Sequence, residues 1–495
     1  HSLINNLKSV PLALTGNTAN ISARTVALEN GTAGDVVIIH GNYIGNGGTL
    51  ALDTALGDDT SKTDMLVIKG DTSGKTNVIV SNVGGTGAQT SEGIKIIDVG
   101  GASNGEFALV SDYTTTDGRN AVVGGAYAYT LNKNGKATPT DGDWYLRSEP
   151  ANPSEPDGPA QWYQAGAPVY EAYAQTLLGL NGLPTLRQRA GNRFGFEPNA
   201  KEGGNVDTGN TSIWGRVEGT RNHMESSAST TGVDYRQNIV KVQAGLDHVL
   251  LERDSGKLVG GITAHYAHGS AKTLSLYDTL NGGGRISTDG YGFGGTLTWY
   301  GANGFYLDSQ TQVTWYDSDL RYDGGDRSLA KGNDGFGYAF SLEGGKRFAI
   351  GSHWSLNPQA QLIYSHVAFD DFSGTIGTLH TPVDLERGAS LRGRLGVSLD
   401  HEATWQNSKG QTNSAHVYGI ANLYNEFLNG ARVDVADVPF TNRNNRLWGG
   451  LGLGGSYSWD NGRYSIYAEG TADTSMSHLG DSYSLKGQIG FSARM

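Results

Sequence analysis

The last fourteen residues, Ser482–Met495 (SYSLKGQIGFSARM), alternate between two kinds of side chain. The odd-numbered positions from Tyr483 to Met495 are apolar or glycine, and the positions between them are mostly polar or charged. Because side chains alternate across a β-strand, one face of this segment meets an apolar medium and the other meets water or a polar interior. Strands of globular sheets usually have about five or six residues. A strand this long therefore predicts one that crosses a membrane in a tilted barrel.

The same alternation recurs through the C-terminal half of the chain. In LRGRLGVSLD, Arg392 and Arg394 lie on the face opposite to Leu391 and Leu395. The predicted strands lie near residues 213–220, 234–250, 257–269, 287–300, 305–317, 335–350, 353–369, 385–401, 412–427, 446–459, 462–473 and 482–495. The pattern predicts an all-β chain with an antiparallel transmembrane barrel of about twelve strands, an even number as single-chain bacterial barrels have.

The connections between these strands alternate in length. Short breaks rich in Gly and Asn accept the positive φ that tight turns require, as at 301–304 and 460–462. The longer polar breaks are predicted to be loops of the opposite rim, and they are 318–334, 370–384 and 428–445. A soluble β-sandwich with aromatic corners is the alternative that the pattern leaves open.

The polar faces of the predicted strands carry charged residues that would point into the lumen. They are Arg216, Glu218, Lys241, Asp247, Arg392, Arg394, Glu469 and Lys486. Such residues can hydrate and cross-brace the barrel wall, or they can hold a segment inside the barrel. The pattern is consistent with both roles.

Residues 1–148 have a different organisation. Short apolar or mixed runs are separated by clusters of Gly, Asn, Asp and Thr at intervals of roughly fifteen residues, which suits a stacked β-solenoid. The period is not strict, so a sandwich also fits the pattern. The aromatic segments Asn120–Leu131 and Trp144–Leu146 are predicted to cap the last coil, whose open edge would otherwise invite aggregation.

A Pro-rich joint and two helical stretches connect the halves. Ser148–Ala160 (SEPANPSEPDGPA) predicts an extended, unpacked boundary. Residues 168–178 and 184–193 each begin with a proline, which the first helical turn tolerates, and Asn181–Gly182 predicts a bend between them. These slim helices, with Arg187 and Arg189 on the second, can fit inside a barrel about twelve strands wide.

Composition excludes several classes of protein. The chain has no Cys, which excludes disulfide frameworks and thiolate metal sites. Its 74 Gly against 12 Pro favour many tight turns over disorder, and its net charge of −12 gives no support to nucleic-acid binding. No stretch of about eighteen apolar residues predicts a transmembrane helix. No local signature predicts a catalytic, cofactor or metal site, so an enzyme is not expected in this segment.

Taken together, the solenoid, the YAYTL and DWYLRS cap, the PVYEAYAQTL and LRQRAGN helices, the IWGR strand and the terminal strand resemble a known family. They resemble the C-terminal part of a monomeric autotransporter of the type V secretion pathway, and residues 64–99 resemble the pertactin-like passenger with its autochaperone segment. The resemblance implies a right-handed parallel β-helix passenger end over 1–148 and a linker over 149–167. It further implies a helical segment threading the lumen over 168–204 and a translocator β-barrel over 205–495.

The resemblance also implies a function and a location. It implies a barrel in the outer membrane of a Gram-negative bacterium that translocates its own passenger and displays it at the cell surface. The passenger is expected to be adhesin-like, with an enzymatic passenger upstream of residue 1 as the alternative. HSLINN lacks the features of a secretory signal, so we expect this chain to be the C-terminal part of a longer precursor.

Partners, assembly and cleavage follow from the same resemblance. The expected partners are the outer-membrane bilayer, the barrel assembly machinery, periplasmic chaperones and surface ligands on host or bacterial cells, and a monomer is expected. Phe491 and Met495 are the expected assembly signal, although family barrels usually end in an aromatic residue. Pro184–Thr185 occupies the position of the Asn pair of self-cleaving members, so we expect a passenger that is uncleaved or cut by another protease.

Overall fold

The computed structural model describes residues 12–14, 18–22, 25–111, 113–115, 117–149, 162–191, 210–275, 283–323, 327–376 and 379–495. Residues 150–161 of the predicted linker and 192–209, at the junction of the predicted helical segment and barrel, lie outside the described residues. Neither helix within the described ranges is long and apolar enough to cross a bilayer.

The N-terminal part is built of parallel strands that stack in two sheets. Its strands are β1 Leu12–Leu14, β2 Thr18–Ser22, β3 Thr25–Ala27, β4 Val36–Ile39, β5 Asn42–Thr54, β6 Met65–Ile68, β7 Thr72–Asn82, β8 Ile94–Val99 and β9 Glu106–Leu109. One sheet has the parallel order β1-β4-β6-β8 and the other β2-β5-β7-β9, with β3 also beside β5. Leu50, Leu66, Val78 and Ile96 are fully buried between them. This parallel stacking is the arrangement that the solenoid pattern predicts, and its right-handedness stays a prediction.

Antiparallel strands close the open end of this stack. They are β10 Tyr113–Thr114, β11 Asn120–Gly124, β12 Tyr127–Lys133 and β13 Trp144–Arg147. β13 pairs antiparallel with β8, and β12, β11 and β10 follow in order. A four-stranded antiparallel meander therefore covers the edge of β8, at the position where the sequence predicted a cap.

The C-terminal part is a closed antiparallel barrel of twelve long strands in the described residues. They are β14 Thr211–Met224, β16 Asp234–Arg253, β17 Gly256–Leu274, β18 Gly284–Gly301, β19 Phe305–Tyr322, β20 Arg327–Lys346, β22 Trp354–Phe369, β25 Ala389–Gln406, β26 Thr412–Glu426, β29 Leu447–Trp459, β30 Tyr464–Ser475 and β31 Tyr483–Arg494. β21, Phe348–Ala349, adds a short hairpin to β22. β14 pairs with β31 from Ser212↔Arg494 to His223↔Tyr483, which closes the barrel and confirms the predicted strand number.

The alternation that predicted the barrel is confirmed in the terminal strand. Leu485, Ile489 and Phe491 are about half exposed on the outer face, whereas Gln488 and Ser492 are buried inside. Short turns lie at one rim and long connections at the other. Because short turns of outer-membrane barrels are periplasmic, the long connections mark the extracellular rim.

Two of the predicted loops are instead strands of a separate sheet. This cap sheet has five strands, β15 Ala228–Ser229, β23 Phe372–Ile376, β24 Leu379–Arg387, β27 Ala431–Val435 and β28 Val438–Arg443, in the order β15-β28-β27-β24-β23. The stretches 370–384 and 428–445 lie at the predicted rim, but they are paired strands and not simple loops. The alternating residues Val433 and Val435 are fully buried, so these connections pair to cover an apolar surface at the barrel mouth. Most of the third predicted loop, 318–334, belongs to β19 and β20.

The two helices are α1 Ala167–Leu180 and α2 Leu186–Ala190. α1 packs against the cap sheet and the upper barrel strands. Trp162 and Tyr163, near the end of the predicted linker 149–167, are 3% and 6% exposed and therefore packed. Burial of these two large aromatic rings stabilises this part of the chain, and the Pro-rich sequence before them does not predict it. The predicted unpacked stretch Ser148–Ala160 lies mostly outside the described residues.

Candidate functional site: the filled lumen of the barrel

The upper end of the lumenal segment is held by a buried carboxylate. Glu171 in α1 is 1% exposed. Its carboxylate accepts hydrogen bonds from the Ser229 hydroxyl, from the backbone N–H of Thr231 at 2.8 Å and from the side-chain amide of Asn442 at 3.3 Å. Because a buried carboxylate needs such donors, α1 is tied to two different extracellular connections of the barrel.

The predicted bend between the helices is confirmed at Asn181, which is fully buried. Its side-chain nitrogen donates to the Ser365 hydroxyl at 2.8 Å and to the backbone carbonyls of Tyr338 and His366 at 3.0 and 3.2 Å. The Tyr316 hydroxyl donates to its side-chain oxygen at 3.1 Å. These bonds tie the Asn181 side chain to the barrel wall.

α2 begins later than predicted because Thr185 caps it. The Thr185 side chain accepts from the Gln188 backbone N–H, and the Gln188 side chain accepts from the Thr185 backbone N–H, which is a capping box. The backbone N–H of Leu186 donates to Glu343 of β20 at 2.9 Å. The first turn of α2 is thus bound by its own cap and by a carboxylate of the wall.

Arg187 joins α2 to one side of the barrel. Its guanidinium forms an ion pair with Asp400 of β25 at 2.8 Å, donates to the Ser398 hydroxyl at 3.1 Å and lies 4.2 Å from the ring centre of Tyr418. Asp400 also contacts His416 Nε2 at 2.8 Å and accepts from Ser398 at 2.6 Å. The carboxylate of Asp400 thus lies between Ser398 and His416. In a catalytic triad the histidine would contact the serine directly, so these three residues are not arranged as one.

Arg189 joins α2 to a different part of the wall, three strands away from Asp400. Its Nη2 lies 2.6 Å from Asp308 of β19, and the two side chains are 3% and 0% exposed. Asp308 also accepts from the Thr298 hydroxyl at 2.6 Å. Both predicted helix arginines therefore bind wall carboxylates near the periplasmic half of the lumen.

Glu469 completes the ring of contacts around α2. The Gln188 side chain donates to Glu469 of β30 at 2.6 Å, and the Tyr418 hydroxyl donates to the same carboxylate. The side chain of Gln488 donates to the Gln188 carbonyl at 3.0 Å, and the Tyr467 hydroxyl donates to the Arg189 carbonyl at 2.7 Å. The last strands of the chain thus close around the helix.

Four other predicted lumenal residues form a network in the wall. Arg216 pairs with Glu218 at 2.9 Å and donates to Gln488 at 2.6 Å, and Lys486 lies 3.6 Å from Glu218. Lys241 donates to the Gly182 carbonyl at 3.0 Å. Lys241 therefore touches the lumenal segment directly, whereas Arg216 reaches it through Gln488 and the other two brace the wall.

The remaining three predicted lumenal residues also lie on the barrel wall. Arg394 pairs with Glu343 at 3.3 Å, so it supports the carboxylate that binds α2. The Arg392 guanidinium lies 4.2 Å from the ring centre of Tyr424. Asp247 is 5% exposed on the inner face of β16. These residues belong to the wall in the described structure.

Three wall carboxylates that bind α2 were not among the candidate site residues predicted from the sequence. Asp308, Glu343 and Asp400 alternate with the outward residues of their strands, so strand parity alone marks them as inward charges. Glu171 and Asn181 carry no such signal, because their partners come from distant connections.

The capped end of the solenoid rests on the cap sheet. The ring centres of Tyr163 and Phe440 are 4.9 Å apart in an edge-on arrangement. The Gln164 side chain donates to the Gly125 carbonyl at 2.7 Å and to the Thr381 hydroxyl at 3.0 Å, which links the solenoid cap to β24. The chain from the solenoid to the lumen is therefore packed along its described length.

Comparison with known proteins agrees with this architecture. The autotransporter beta-domain family matches residues 213–471, and the autochaperone domain type 1 family matches residues 13–131. The transport unit of the autotransporter AIDA-I from Escherichia coli has the same fold, with a TM-score of 0.50 at 19% identity over 66% of this chain and 99% of that one.

Two relatives align over most of the chain. The adhesin BmaC autotransporter of Brucella suis biovar 1 (strain 1330) is 45% identical over 479 residues, which are 95% of this chain and 14% of that protein. The uncharacterized protein YdeU of Escherichia coli (strain K12) is 31% identical over 486 residues, which are 87% of this chain and 99% of that protein. The chain thus spans a small part of the adhesin's length. Because the beta-domain match covers more than half of its residues, the chain belongs to the autotransporter family of type V secretion, whose barrel lies in the outer membrane of Gram-negative bacteria and displays its passenger at the cell surface.

Proposed function

We propose that this autotransporter displays an adhesin-like passenger that stays attached to its barrel. The observation that carries the proposal is the continuous packing from the solenoid cap, through Tyr163 and Phe440, to α2 between Asp308 and Asp400. An attached passenger suits adhesion, because a surface ligand must be coupled to the cell. The 45% identity to an adhesin supports the same role.

The attachment rests on the lumenal segment. The side-chain nitrogen of Asn181 is engaged with three acceptors, and Pro184–Thr185 carries no side-chain amide, so self-cleavage within the lumen is disfavoured. We assign the solenoid end to 1–148, the linker to 149–167, the lumenal segment to 168–204 and the translocator to 205–495. The contacts of α1 and α2 inside the barrel support the assignment of the first part of 168–204 to the lumen.

The proposed partners follow from the surfaces of the barrel. Ile262, Leu451 and Leu453 are 67%, 69% and 75% exposed on its outside, which suits contact with lipid acyl chains as a monomer. Phe491 and Met495 are 47% and 58% exposed at the periplasmic end of β31, where the assembly machinery and periplasmic chaperones can reach them. Ligands on host or bacterial surfaces are the proposed partners of the passenger.

Attachment and adhesion can be tested on intact bacteria that express the full precursor. External protease should remove the epitopes of residues 25–148 and leave a membrane-embedded barrel fragment, and without protease one band should carry both epitopes. Fab fragments against the passenger should block attachment to host-cell monolayers, whereas Fab fragments against an unrelated surface protein should not. A separate barrel band in cells that were not treated with protease would contradict the attached passenger. Bacterial attachment to host cells that the passenger Fab does not reduce would contradict the adhesin role.

A further inference from the structure

Four neighbouring barrel strands each place a basic residue on the outer face near the extracellular rim. Arg236 of β16 is directly opposite Lys272 of β17, Lys272 is opposite Arg285 of β18, and Arg285 is opposite Arg321 of β19. All four residues are exposed. We call this set the basic row.

Each neighbouring pair in the basic row places two like charges directly opposite each other. Like charges directly opposite on neighbouring strands destabilise a sheet. Asp323 pairs with Arg285 at 3.2 Å, yet the Arg285 side chain is still 64% exposed. The Arg236 guanidinium donates to the ring of His223 at 3.2 Å, which supplies no carboxylate. An anionic ligand outside the barrel would relieve the repulsion along the row.

The height of the basic row relative to the membrane can be inferred from a row of aromatic residues on three of the same strands. Tyr266, Tyr291 and Trp315 are directly opposite one another, and each lies six residues toward the periplasm from the basic residue of its strand. Exposed aromatic rings of this kind lie at the headgroup level of a bilayer. Six residues of a tilted strand rise about 15 Å, so the basic row lies about 15 Å above that level.

The residues between the two rows limit the kind of lipid. Asp289 and Asp317 are opposite each other two residues above the aromatic row, and the Tyr266 hydroxyl donates to Asp289 at 2.7 Å. The phosphate of a glycerophospholipid at headgroup level would therefore meet carboxylates. Only a headgroup that extends well beyond this level brings its anionic groups to the basic row.

The row is not repeated on the opposite wall in the described part of the barrel. At the extracellular ends of the strands there, the outward residues Phe427, Leu447 and Met476 are 54%, 41% and 48% exposed, and the exposed cation beside them, Arg446, donates to the side-chain oxygen of Asn429. A row of four directly opposed cations is therefore not a general property of the rim.

We propose that the basic row, Arg236, Lys272, Arg285 and Arg321, binds the phosphorylated, acidic saccharide headgroup of an outer-leaflet glycolipid. The glycolipid's acyl chains lie against the apolar outer wall below the aromatic row, and its anionic saccharide groups lie against the four cations. This contact orients the barrel toward one lipid at β16–β19 and leaves the opposite wall to other lipids.

The test uses the full chain folded in detergent and titrated with purified lipopolysaccharide. The double variant Lys272→Gln/Arg285→Gln removes two charges of the row, and Lys409→Gln/Arg463→Gln removes two exposed charges at the periplasmic turns as the matched control. Each basic residue near an anionic lipid surface strengthens binding about fivefold. We therefore expect the first variant, which lacks two of them, to bind lipopolysaccharide about thirtyfold more weakly than the unsubstituted chain. The control should bind within about twofold of the unsubstituted chain.

Four further measurements test the chemistry of the ligand. Dephosphorylated lipopolysaccharide should bind the unsubstituted chain more weakly, and added salt should weaken binding of the phosphorylated form. Equal binding by the two double variants would overturn the proposal. Equally tight binding of phosphatidylglycerol micelles would overturn the height argument, and competition by millimolar inorganic phosphate would assign the row to free phosphate. Unchanged heat-resistant migration of both variants in gels shows that the barrel is folded.

Discussion

The guanidinium of Arg189 in α2 and the carboxylate of Asp308 in β19 meet inside the barrel, with Nη2 2.6 Å from Oδ1 and both side chains almost fully buried. Removal of one partner leaves the other charge buried without its counter-ion, which costs about 3–5 kcal/mol. We therefore expect Asp308→Ala to loosen α2 and to raise the ion conductance of the barrel in planar bilayers. Asp317→Ala, on the outer face of the same strand, is the control. Equal conductance of the two variants would show that the pair does not hold the helix.

Gly490 of β31 leaves room for the ring that holds α2 from the other side. A Cβ at this position would lie 2.1 Å from the Tyr467 ring, whose hydroxyl donates to the Arg189 carbonyl. Gly490→Ala is expected to displace the ring and to lower barrel stability by about 1–3 kcal/mol, the usual cost of overpacking. Gly487→Ala in the same strand meets nothing within 4 Å and should be nearly neutral. The measurement is the temperature at which each variant loses its folded migration in gels, and the idea fails if the two temperatures match.

Asp59 makes part of the solenoid sensitive to acid. Burial raises the pKa of this carboxyl, but hydrogen bonds from the backbone N–H groups of Glu92, Gly93 and Ser91 outweigh burial and hold the pKa below its usual value. A depressed folded pKa contributes stability that is present above the unfolded pKa of about 4 and is lost as the pH falls through the folded pKa.

Hydrogen exchange can measure this effect locally. Protection factors of the three amides at residues 91–93 should decrease as the pH falls below about 4. In Asp59→Asn they should be low already at neutral pH and should change little in acid. The amide of Val78, which lies in a parallel strand of the solenoid, is the internal control. Protection that is independent of pH in the unsubstituted protein would refute the prediction.

The contact between the solenoid and the cap sheet should affect the passenger without affecting the barrel. Tyr163→Ala removes a ring that packs on Phe440, and truncation of a buried aromatic side chain costs about 3–5 kcal/mol. On intact cells, the passenger of this variant should be digested several times faster by external protease, with unchanged heat-resistant migration of the barrel. Ile79→Ala, at an exposed solenoid position, should behave like the unsubstituted protein. Equal digestion rates would mean that the solenoid is stable without this contact.

The parts of the fold that could be predicted are those with a local period. Alternation placed Lys241 and Glu469 inside the barrel, because strand parity depends only on neighbouring residues. Their partners could not be predicted, since Glu469 meets Gln188 only after the chain has closed around the helix. The cap sheet was missed for a related reason. Its strands are short, and their pairing depends on α1, which they cover.

The ion pairs that Arg187 and Arg189 of α2 form with the wall have a mechanical consequence. A pull on a passenger bound to another cell would be transmitted along α1 toward α2, whose two ion pairs, to Asp400 and to Asp308, leave the helix within one turn of each other. Bonds that are stretched at the same time share the force, so neither has to break first. Glu171 and Tyr163 add contacts at the outer end of the same path. In the proposed adhesin, the lumen would therefore anchor a tether under shear flow.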